Sequence, residues 1–245
     1  FAGDPILRSS INGKQYSLPR YPPFFQKNFQ QSIENMECPS WCTGEETCKC
    51  SSRTQITPGK TIQFVLYNMG KGAGVQGTTH PVHLHGHHFY VVSVGYPDYH
   101  VNGTFARNNP HLKCKDDDSE FCNAITWSRD DFKNGNVPNA NLKNPVKKDT
   151  VIVPVGGYAV IRFYSDNIGY WFFHCHVEVH ATEGMASLIQ EGTDEQIREK
   201  VDWNDMHTCF KGFVKPEKSR ASSILKFKFP IFLTLFFSSF MRNIF

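Results

Sequence analysis

The residues most able to do chemistry are histidines, and they are clustered. The chain contains 11 histidines, and most of them fall in two short stretches, residues 80–88 and 174–180. The first stretch reads His-Pro-Val-His-Leu-His-Gly-His-His, and the second reads His-Cys-His-Val-Glu-Val-His, with Met185 shortly after it. Imidazole, thiolate and thioether groups bind transition metals. Their density here indicates a metal-binding function.

Spacing within the first stretch separates its histidines, because successive side chains of an extended chain point to opposite faces. His83 and His85 therefore share one face. His80 lies an odd number of positions away and faces the other side. Pro81 supports an extended conformation, since the residue before a proline avoids the helix.

The second stretch follows the same rule. His174 and His176 share a face, and Cys175 between them points to the opposite one. If the two stretches lie side by side, one site receives His80 and Cys175. The other site receives four imidazoles, those of His83, His85, His174 and His176.

Two further residues, His180 and Met185, do not fit this alternation, so the chain must turn after His176 to return them to Cys175. Two imidazoles, a thiolate and a more distant thioether form the ligand set of a blue, electron-transferring copper site. An all-imidazole second site, joined to the first through Cys175, offers a short covalent route for electrons. We therefore expect copper, with Met185 as the weak axial ligand.

Other interpretations apply to some of these histidines. Three isolated ones (His100, His111 and His207) are interpreted as ordinary core or surface residues, and His87 and His88 as supporting or surface residues. Structural zinc, the alternative for a His-x-His pair, uses four ligands and leaves the remaining histidines unexplained.

The two stretches resemble the copper signatures of the multicopper oxidases, and of the laccases in particular. The matching motifs are His80-Pro-Val-His-Leu-His-Gly-His and His174-Cys-His-x3-His-x4-Met. Asp149-Thr-Val-Ile-Val-Pro-Val-Gly-Gly and the segment from Asp166-Asn to Trp171-Phe-Phe are also similar to laccases. The resemblance covers residues 10–195. It implies the C-terminal cupredoxin domain of a three-domain enzyme.

Ligand roles follow from this resemblance by motif position. The type 1 copper ligands are His80, Cys175 and His180, with Met185 axial. His83 matches the type 2 ligand. The type 3 ligands are His85, His174 and His176. A methionine in the axial position implies a modest reduction potential.

The resemblance also implies an activity. It is the one-electron oxidation of phenols or aromatic amines coupled to four-electron reduction of O2 to water, with electrons passing through Cys175 to His174 and His176. The family shares its trinuclear cluster between its first and last domains, and the first domain's His-Trp-His-Gly motif does not occur here. We therefore expect a fragment that lacks its N-terminal cupredoxin domains. The alternatives are a stand-alone blue-copper electron carrier or copper-binding domain, and a ferroxidase.

The elements that must position these residues are β-strands. Five runs rich in β-forming residues predict strands: 61–67, 88–94, 150–154, 158–164 and 170–173. Val155-Gly156-Gly157 indicates a hairpin turn, and helical character is expected only over Ile189–Val201. The pattern predicts an all-β, cupredoxin-like Greek-key β-sandwich with a long polar excursion over 96–148 and a short C-terminal helix.

Four organisational units are expected along the chain. They are an entering segment with a Cys-rich loop (1–54), the cupredoxin domain (55–200), a C-terminal extension (201–220) and a hydrophobic tail (221–245). Seven of the 21 phenylalanines fall at or after Phe227. We expect a cleaved lipid-anchor signal there, with a short membrane segment or an amphipathic tail as alternatives.

Cysteine usage and charge bear on the compartment and on partners. Cys38, Cys42, Cys48 and Cys50 have spacings that favour a disulfide-stapled loop over zinc, and Cys114 and Cys122 could close a second loop. With the glycosylation sequon Asn102-Gly103-Thr104 they favour a secreted, extracellular or cell-surface protein. The net charge of +3 comes entirely from the tail, which argues against nucleic-acid binding.

Overall fold

The computed structural model describes residues 9–19, 38–40, 42, 48–69, 77–114, 125–127 and 137–200. The strands in these ranges are β1 (Lys14–Tyr16), β2 (Cys48–Cys50), β3 (Arg53–Ile56), β4 (Thr61–Asn68), β5 (His80–Leu84), β6 (Phe89–Gly95), β7 (Asp98–Tyr99), β8 (Phe105–Arg107), β9 (Leu112–Cys114), β10 (Ile125–Trp127), β11 (Val146–Lys148), β12 (Thr150–Val153), β13 (Gly157–Tyr164), β14 (Gly169–Cys175) and β15 (Ala186–Glu191). The helices are α1 (Glu178–Thr182) and α2 (Asp194–Lys200).

One sheet contains four strands in the order β11-β6-β13-β4, and every pair is antiparallel. Strand β13 is rich in β-branched and aromatic residues, which pack well on a pleated surface. It pairs along its whole length with β4, from Gly157 opposite Asn68 to Tyr164 opposite Thr61. The predicted strands in this region are therefore present, with small shifts at their ends.

The second sheet contains five strands in the order β12-β5-β14-β15-β3. Strands β5 and β14, which carry the two histidine stretches, are antiparallel neighbours, with His174 opposite His83 and Cys175 opposite Val82. Except for the consecutive strands β14 and β15, neighbours in this sheet are distant in sequence, as in a Greek-key arrangement. The pairing of β5 with β14 is what brings the two stretches together.

The core lies between the two sheets. Phe64 of β4 makes edge contacts with Phe163 of β13 at 5.4 Å and with Phe173 of β14 at 5.8 Å between ring centroids. Both sheets contribute to the same buried cluster, including Leu66 and Leu84. Each large apolar side chain buried in this way contributes about 1.5–3 kcal/mol. The all-β sandwich class is confirmed.

The polar excursion contains strands that the sequence pattern did not show. Strands β7 and β8 form an antiparallel pair, β9 pairs with β10, and β11 joins β6 at the edge of the four-stranded sheet. These strands have only two or three residues each. Such lengths are too short for a period-2 pattern to be visible.

The predicted helix over Ile189–Val201 is wrong in its first residues. Ile189–Glu191 end strand β15, and helix α2 begins only at Asp194. Pairing with β14 and β3 satisfies the backbone hydrogen bonds of β15. These buried residues are therefore more stable in the sheet than in the predicted helix. Thr193 and Gln196 then bond each other's backbone N–H groups, which starts the helix. Helix α1 was not predicted.

Some expectations concern residues outside the described ranges. The hydrophobic tail (221–245), the extension (201–220), Cys122 and most of the entering segment belong there. The expected boundary between residues 54 and 55 falls within strand β3, and Ile11 of the entering segment lies in the main core. In the part of the chain that the structure describes, no helix is long and apolar enough to cross a membrane.

Candidate metal centre

The alternation of side chains along strand β5 places its two histidines on opposite faces of the sheet. His80, Val82 and Leu84 are buried, whereas Pro81 and His83 are partly exposed. His80 thus points toward the core and His83 away from it, as the spacing predicts. His85 follows the strand on the exposed side.

Three side chains converge at the edge of the core, and we call them the thiolate cluster: His80, Cys175 and His180. The sulfur of Cys175 lies 3.5 Å from Nδ1 of His80 and 3.6 Å from Nδ1 of His180. The two imidazole rings lie 4.9 Å apart between centroids. Cys175 is fully buried and His80 nearly so, while His180 is partly exposed. The cluster therefore opens to solvent on the His180 side.

Helix α1 and the turn after it return the chain to Cys175. The backbone N–H of Met185 donates to the carbonyl of His180 at 2.9 Å. The backbone N–H of Cys175 donates to the carbonyl of Met185 at 3.0 Å. Met185 is buried and belongs to the core cluster that includes Cys175. The turn expected after His176 is present, and ligation by the Met185 sulfur stays a prediction.

Burial controls the electrostatics of the thiolate cluster. Burial and, secondly, the charge of His180 lower the pKa of His80 to about 4. Burial raises the pKa of the Cys175 thiol, against an opposing hydrogen bond from the backbone of Val177. A cation held between these residues would favour the thiolate, because a positive charge stabilises the deprotonated sulfur. Two imidazoles and one sulfur fit copper and do not fit oxygen-seeking cations such as calcium.

Four histidines on the outer side of the same sheet form a second group, which we call the imidazole cluster: His83, His85, His174 and His176. Nε2 of His85 lies 3.1 Å from Nε2 of His174. The ring of His83 lies 4.7 Å from that of His85 and 5.6 Å from that of His176. His83, His85 and His174 have donor atoms within 4.8 Å of one another.

Backbone carbonyls orient two rings of the imidazole cluster. Nδ1 of His83 lies 2.9 Å from the carbonyl of Asp149 and 3.0 Å from the hydroxyl of Thr150. Nδ1 of His174 lies 2.8 Å from the carbonyl of Cys175. A carbonyl can only accept, so each Nδ1 carries the proton and Nε2 keeps a free lone pair for a metal.

The two clusters share strand β14. Cys175 contributes its sulfur to the thiolate cluster, while its neighbours His174 and His176 contribute to the imidazole cluster. They lie on opposite faces of one extended segment, so only backbone and side-chain bonds separate them. All eight residues expected from the sequence as copper ligands lie in or beside these two clusters.

Sequence reasoning missed Glu191. Its carboxylate lies 2.8 Å from Nε2 of His87, and both side chains are buried. The other carboxylate oxygen accepts the backbone N–H of Asn167 at 2.7 Å. His87 is thus a supporting residue, as expected, and His88 is exposed. The signal for it in the sequence was a single acidic residue at the end of a strand that is otherwise uncharged.

The four cysteines of the Cys-rich loop pair as Cys38–Cys50 and Cys42–Cys48. The disulfide interpretation is therefore confirmed over zinc, because the sulfurs are bonded to each other. Among the described residues, the free cysteine is Cys175.

Comparisons with known proteins agree with this chemistry. Residues 20–195 match the family model described as multicopper oxidase. The chain is 36% identical to Laccase-10 of Arabidopsis thaliana over 165 residues, which is 66% of this chain and 23% of that protein. It is 34% identical to the iron multicopper oxidase fer1 of Mycosarcoma maydis over 140 residues, 57% of this chain and 16% of that protein.

Among solved structures, the chain is similar to Fet3p, a multicopper oxidase that functions in iron import. The identity is 25% and the TM-score 0.43, over 72% of this chain and 26% of that one. The chain spans between 16% and 33% of the length of the curated relatives that it matches. The family model covers well over half of the chain, and the two donor clusters have the residues its copper chemistry needs. The chain belongs to the multicopper oxidase family, whose cofactor is copper.

Proposed function

We propose that this chain is the C-terminal cupredoxin domain of a laccase-type multicopper oxidase. The whole enzyme would oxidise phenols or aromatic amines by single electrons and reduce O2 to water. One observation carries the proposal: Cys175 contacts His80 and His180, while the residues on both sides of it belong to the imidazole cluster. A stand-alone electron carrier would leave the imidazole cluster without a role.

The ligand roles in this proposal follow the two clusters. The thiolate cluster, with Met185 axial, would hold type 1 copper. The imidazole cluster would supply His83 to type 2 copper and the others to type 3 copper, namely His85, His174 and His176. When bound, the copper ions supply the one-electron redox chemistry that the side chains themselves lack.

The protein's own residues provide access and connection. His180 is partly exposed whereas His80 is buried, so an aromatic donor can approach the ring edge of His180. The sulfur of Cys175 contacts both imidazoles, and from it the covalent connection to the imidazole cluster runs through the peptide bonds of Cys175 to His174 and His176.

The imidazole cluster supports the proposed need for further domains. His85 and His176 are exposed at the surface of the sheet, and the cluster supplies only imidazoles from one side. We propose that N-terminal cupredoxin domains of the same protein cover this face and supply the remaining ligands. The substrates O2 and the aromatic donor would then reach separate sites.

The test is an anaerobic copper titration of the 245-residue chain, followed by visible absorption and electron paramagnetic resonance. We expect an intense thiolate-to-copper absorption band, and bleaching of that band when a phenol such as 2,6-dimethoxyphenol is added. This bleaching needs only one electron, so it does not depend on the other domains. Folded protein that binds copper without the band would contradict the proposal.

Ferroxidase activity is a second candidate, favoured by the 34% identity to an iron multicopper oxidase. Glu178 is exposed at the start of helix α1, close in sequence to His180, where a carboxylate could bind Fe(II). Comparing the bleaching rates with Fe(II) and with phenol separates the two candidates. If iron is the donor, Glu178→Gln should slow bleaching by Fe(II) and leave bleaching by phenol unchanged.

We also propose an extracellular or cell-surface location. The disulfides Cys38–Cys50 and Cys42–Cys48 support it, since such bonds persist in oxidising compartments. Asn102 of the sequon is exposed in the turn between β7 and β8, where a glycan has room. Expression through a secretory pathway, followed by glycosidase treatment, should produce a mobility shift that Asn102→Gln abolishes.

A further inference from the structure

Residues 9–17, which we call the strap, cross the loop that joins His180 to Met185. The backbone N–H of Tyr16 donates to the carbonyl of Gly184 at 2.8 Å. The side-chain amide of Gln15 donates to the carbonyl of Glu183. The hydroxyl of Ser9 donates to the Glu183 carboxylate at 3.0 Å. The strap thus holds this loop at two consecutive residues.

Gly184 shows how closely the strap and the loop approach each other. Its φ is +114°, and a Cβ there would lie 2.3 Å from Cγ of Gln15 and 2.9 Å from the backbone nitrogen of Tyr16. A side chain at this position would push the two segments apart. The contact therefore requires glycine for its space as well as for its backbone conformation.

The strap is itself fixed by the Cys-rich loop. Strand β1 of the strap pairs in parallel with β2, with Lys14 opposite Cys48 and Tyr16 opposite Cys50. Both cysteines of β2 are in disulfides, to Cys42 and Cys38 respectively. The N–H of Ser17 also donates to the carbonyl of Cys50 at 3.0 Å. The two disulfides thus brace the strand on which the strap lies.

On its other side the loop is joined to the thiolate cluster. Met185 follows Gly184 directly; its carbonyl accepts the backbone N–H of Cys175, and its own N–H donates to the carbonyl of His180. Tyr16 also packs on Phe172 at 5.6 Å, and Phe172 stacks on His174 at 4.6 Å between ring centroids. Displacing the strap would therefore alter how His180 and Met185 are placed around the sulfur.

We propose that the strap is a disulfide-braced clamp that positions His180 and Met185 around Cys175. In this role Gln15, Tyr16 and Gly184 are positioning residues, and they set the affinity and the electronic character of the copper site. The inference rests on the proposed copper site at the thiolate cluster. It assigns a role to the Cys-rich loop, which has no part in the proposed activity.

The test compares three variants of the full chain with the parent. Gly184→Ala inserts a methyl group between loop and strap, Gln15→Leu removes the amide donor, and the paired change Cys42→Ser with Cys48→Ser removes one brace. Gly103→Ala is the matched control, because Gly103 also has a positive φ of +81° but nothing lies within 4 Å of its Cβ. Copper affinity, the thiolate absorption band and the copper hyperfine splitting are measured.

We expect copper affinity to fall by about 10- to 100-fold in Gly184→Ala and Gln15→Leu, the range seen when groups that orient metal ligands are removed. The absorption band and hyperfine splitting should shift in the same variants and stay unchanged in Gly103→Ala. Parent-like copper affinity and spectra in both Gly184→Ala and Gln15→Leu would overturn the clamp. A parent-like double-serine variant would overturn the bracing by the disulfide.

A second measurement separates this inference from the proposed function. Amide hydrogen exchange of residues 180–185 is followed in the metal-free parent and in Gln15→Leu. If the parent shows no thiolate band, the proposed function fails, but faster exchange in Gln15→Leu still supports the strap as a clamp on this loop. If the exchange rate is unchanged in Gln15→Leu, and the spectra are also unchanged where copper binds, the clamp proposal is overturned.

Discussion

Cys175 combines two roles that depend on different parts of the residue. Its sulfur contacts His80 and His180, and its peptide bonds join it to His174 and His176. Burial raises the pKa of its thiol, so the thiolate form depends on a positive partner. Absorption by a metal-bound thiolate therefore reports directly on occupancy of the thiolate cluster.

Replacement of Cys175 by serine tests that dependence. Cys175→Ser should abolish the intense visible band of the copper-loaded chain, because a hydroxyl does not supply the sulfur-to-metal charge transfer. Visible absorption checks this, with His88→Ala as the control, since His88 is exposed and adjacent to the first motif. A band retained in the serine variant would refute the assignment of Cys175.

The role of Met185 can be tested without disturbing the core. Met185→Leu conserves volume and should cost less than about 1.5 kcal/mol of stability. If the thioether is the weak axial ligand, its loss should raise the reduction potential while copper still binds. Redox titration of the visible band measures the potential. An unchanged value would mean that Met185 is not axial.

At the scale of elements, a polar network built on the buried His87–Glu191 pair ties the end of β5 to its neighbours. His87 contacts Glu191 at the end of β15, and Glu191 accepts the backbone N–H of Asn167. The side-chain amide of Asn167 donates to the carbonyl of Gly86, next to His85, at 2.8 Å. The indole of Trp171 in β14 donates to the carbonyl of Asn167 at 2.7 Å. The network thus holds the turn that carries His85.

Removing the carboxylate should weaken this network strongly. Glu191→Ala removes the partner of the buried His87 ring and the acceptor of the partly buried Asn167 N–H, which should cost about 3 kcal/mol or more of unfolding free energy. Denaturant unfolding of the metal-free chain measures the loss. Glu199→Ala is the control, because Glu199 is exposed on helix α2. A loss equal to that of the control would show that the pair contributes nothing to stability.

At the scale of the whole molecule, the sandwich places the two clusters in different environments. Cys175 and Met185 belong to the core between the sheets, whereas His85 and His176 are exposed on the outer face. A buried donor set exchanges its metal slowly, and an exposed set of imidazoles is open to competing ligands. The fold itself therefore separates a protected site from an open one.

This difference predicts a graded loss of copper. When the fully loaded chain is treated with increasing chelator, copper at the imidazole cluster should leave first, while the thiolate band persists. Electron paramagnetic resonance and visible absorption, recorded on the same samples, follow the two sites. Simultaneous loss of both signals would show that the clusters are equally accessible, against the burial in the structure.

The types of donor side chain in the two clusters, and the faces on which they lie, were determined by the sequence alone. Side-chain alternation is a local property of an extended chain, so the separation of His80 from His83 and of Cys175 from its neighbours could be read from spacing. The long strands could be predicted for the same reason. The short strands of the excursion and the start of helix α2 could not, because their pairing partners override weak local patterns.

Only the tertiary structure decided which segments meet. The pairing of β5 with β14, the contact of His87 with Glu191 and the position of the strap all join residues far apart in the chain. These contacts depend on how the two sheets pack and on which backbone groups remain to be satisfied. Local spacing determines the face of the strand on which a side chain lies, and long-range packing determines which residues that side chain contacts.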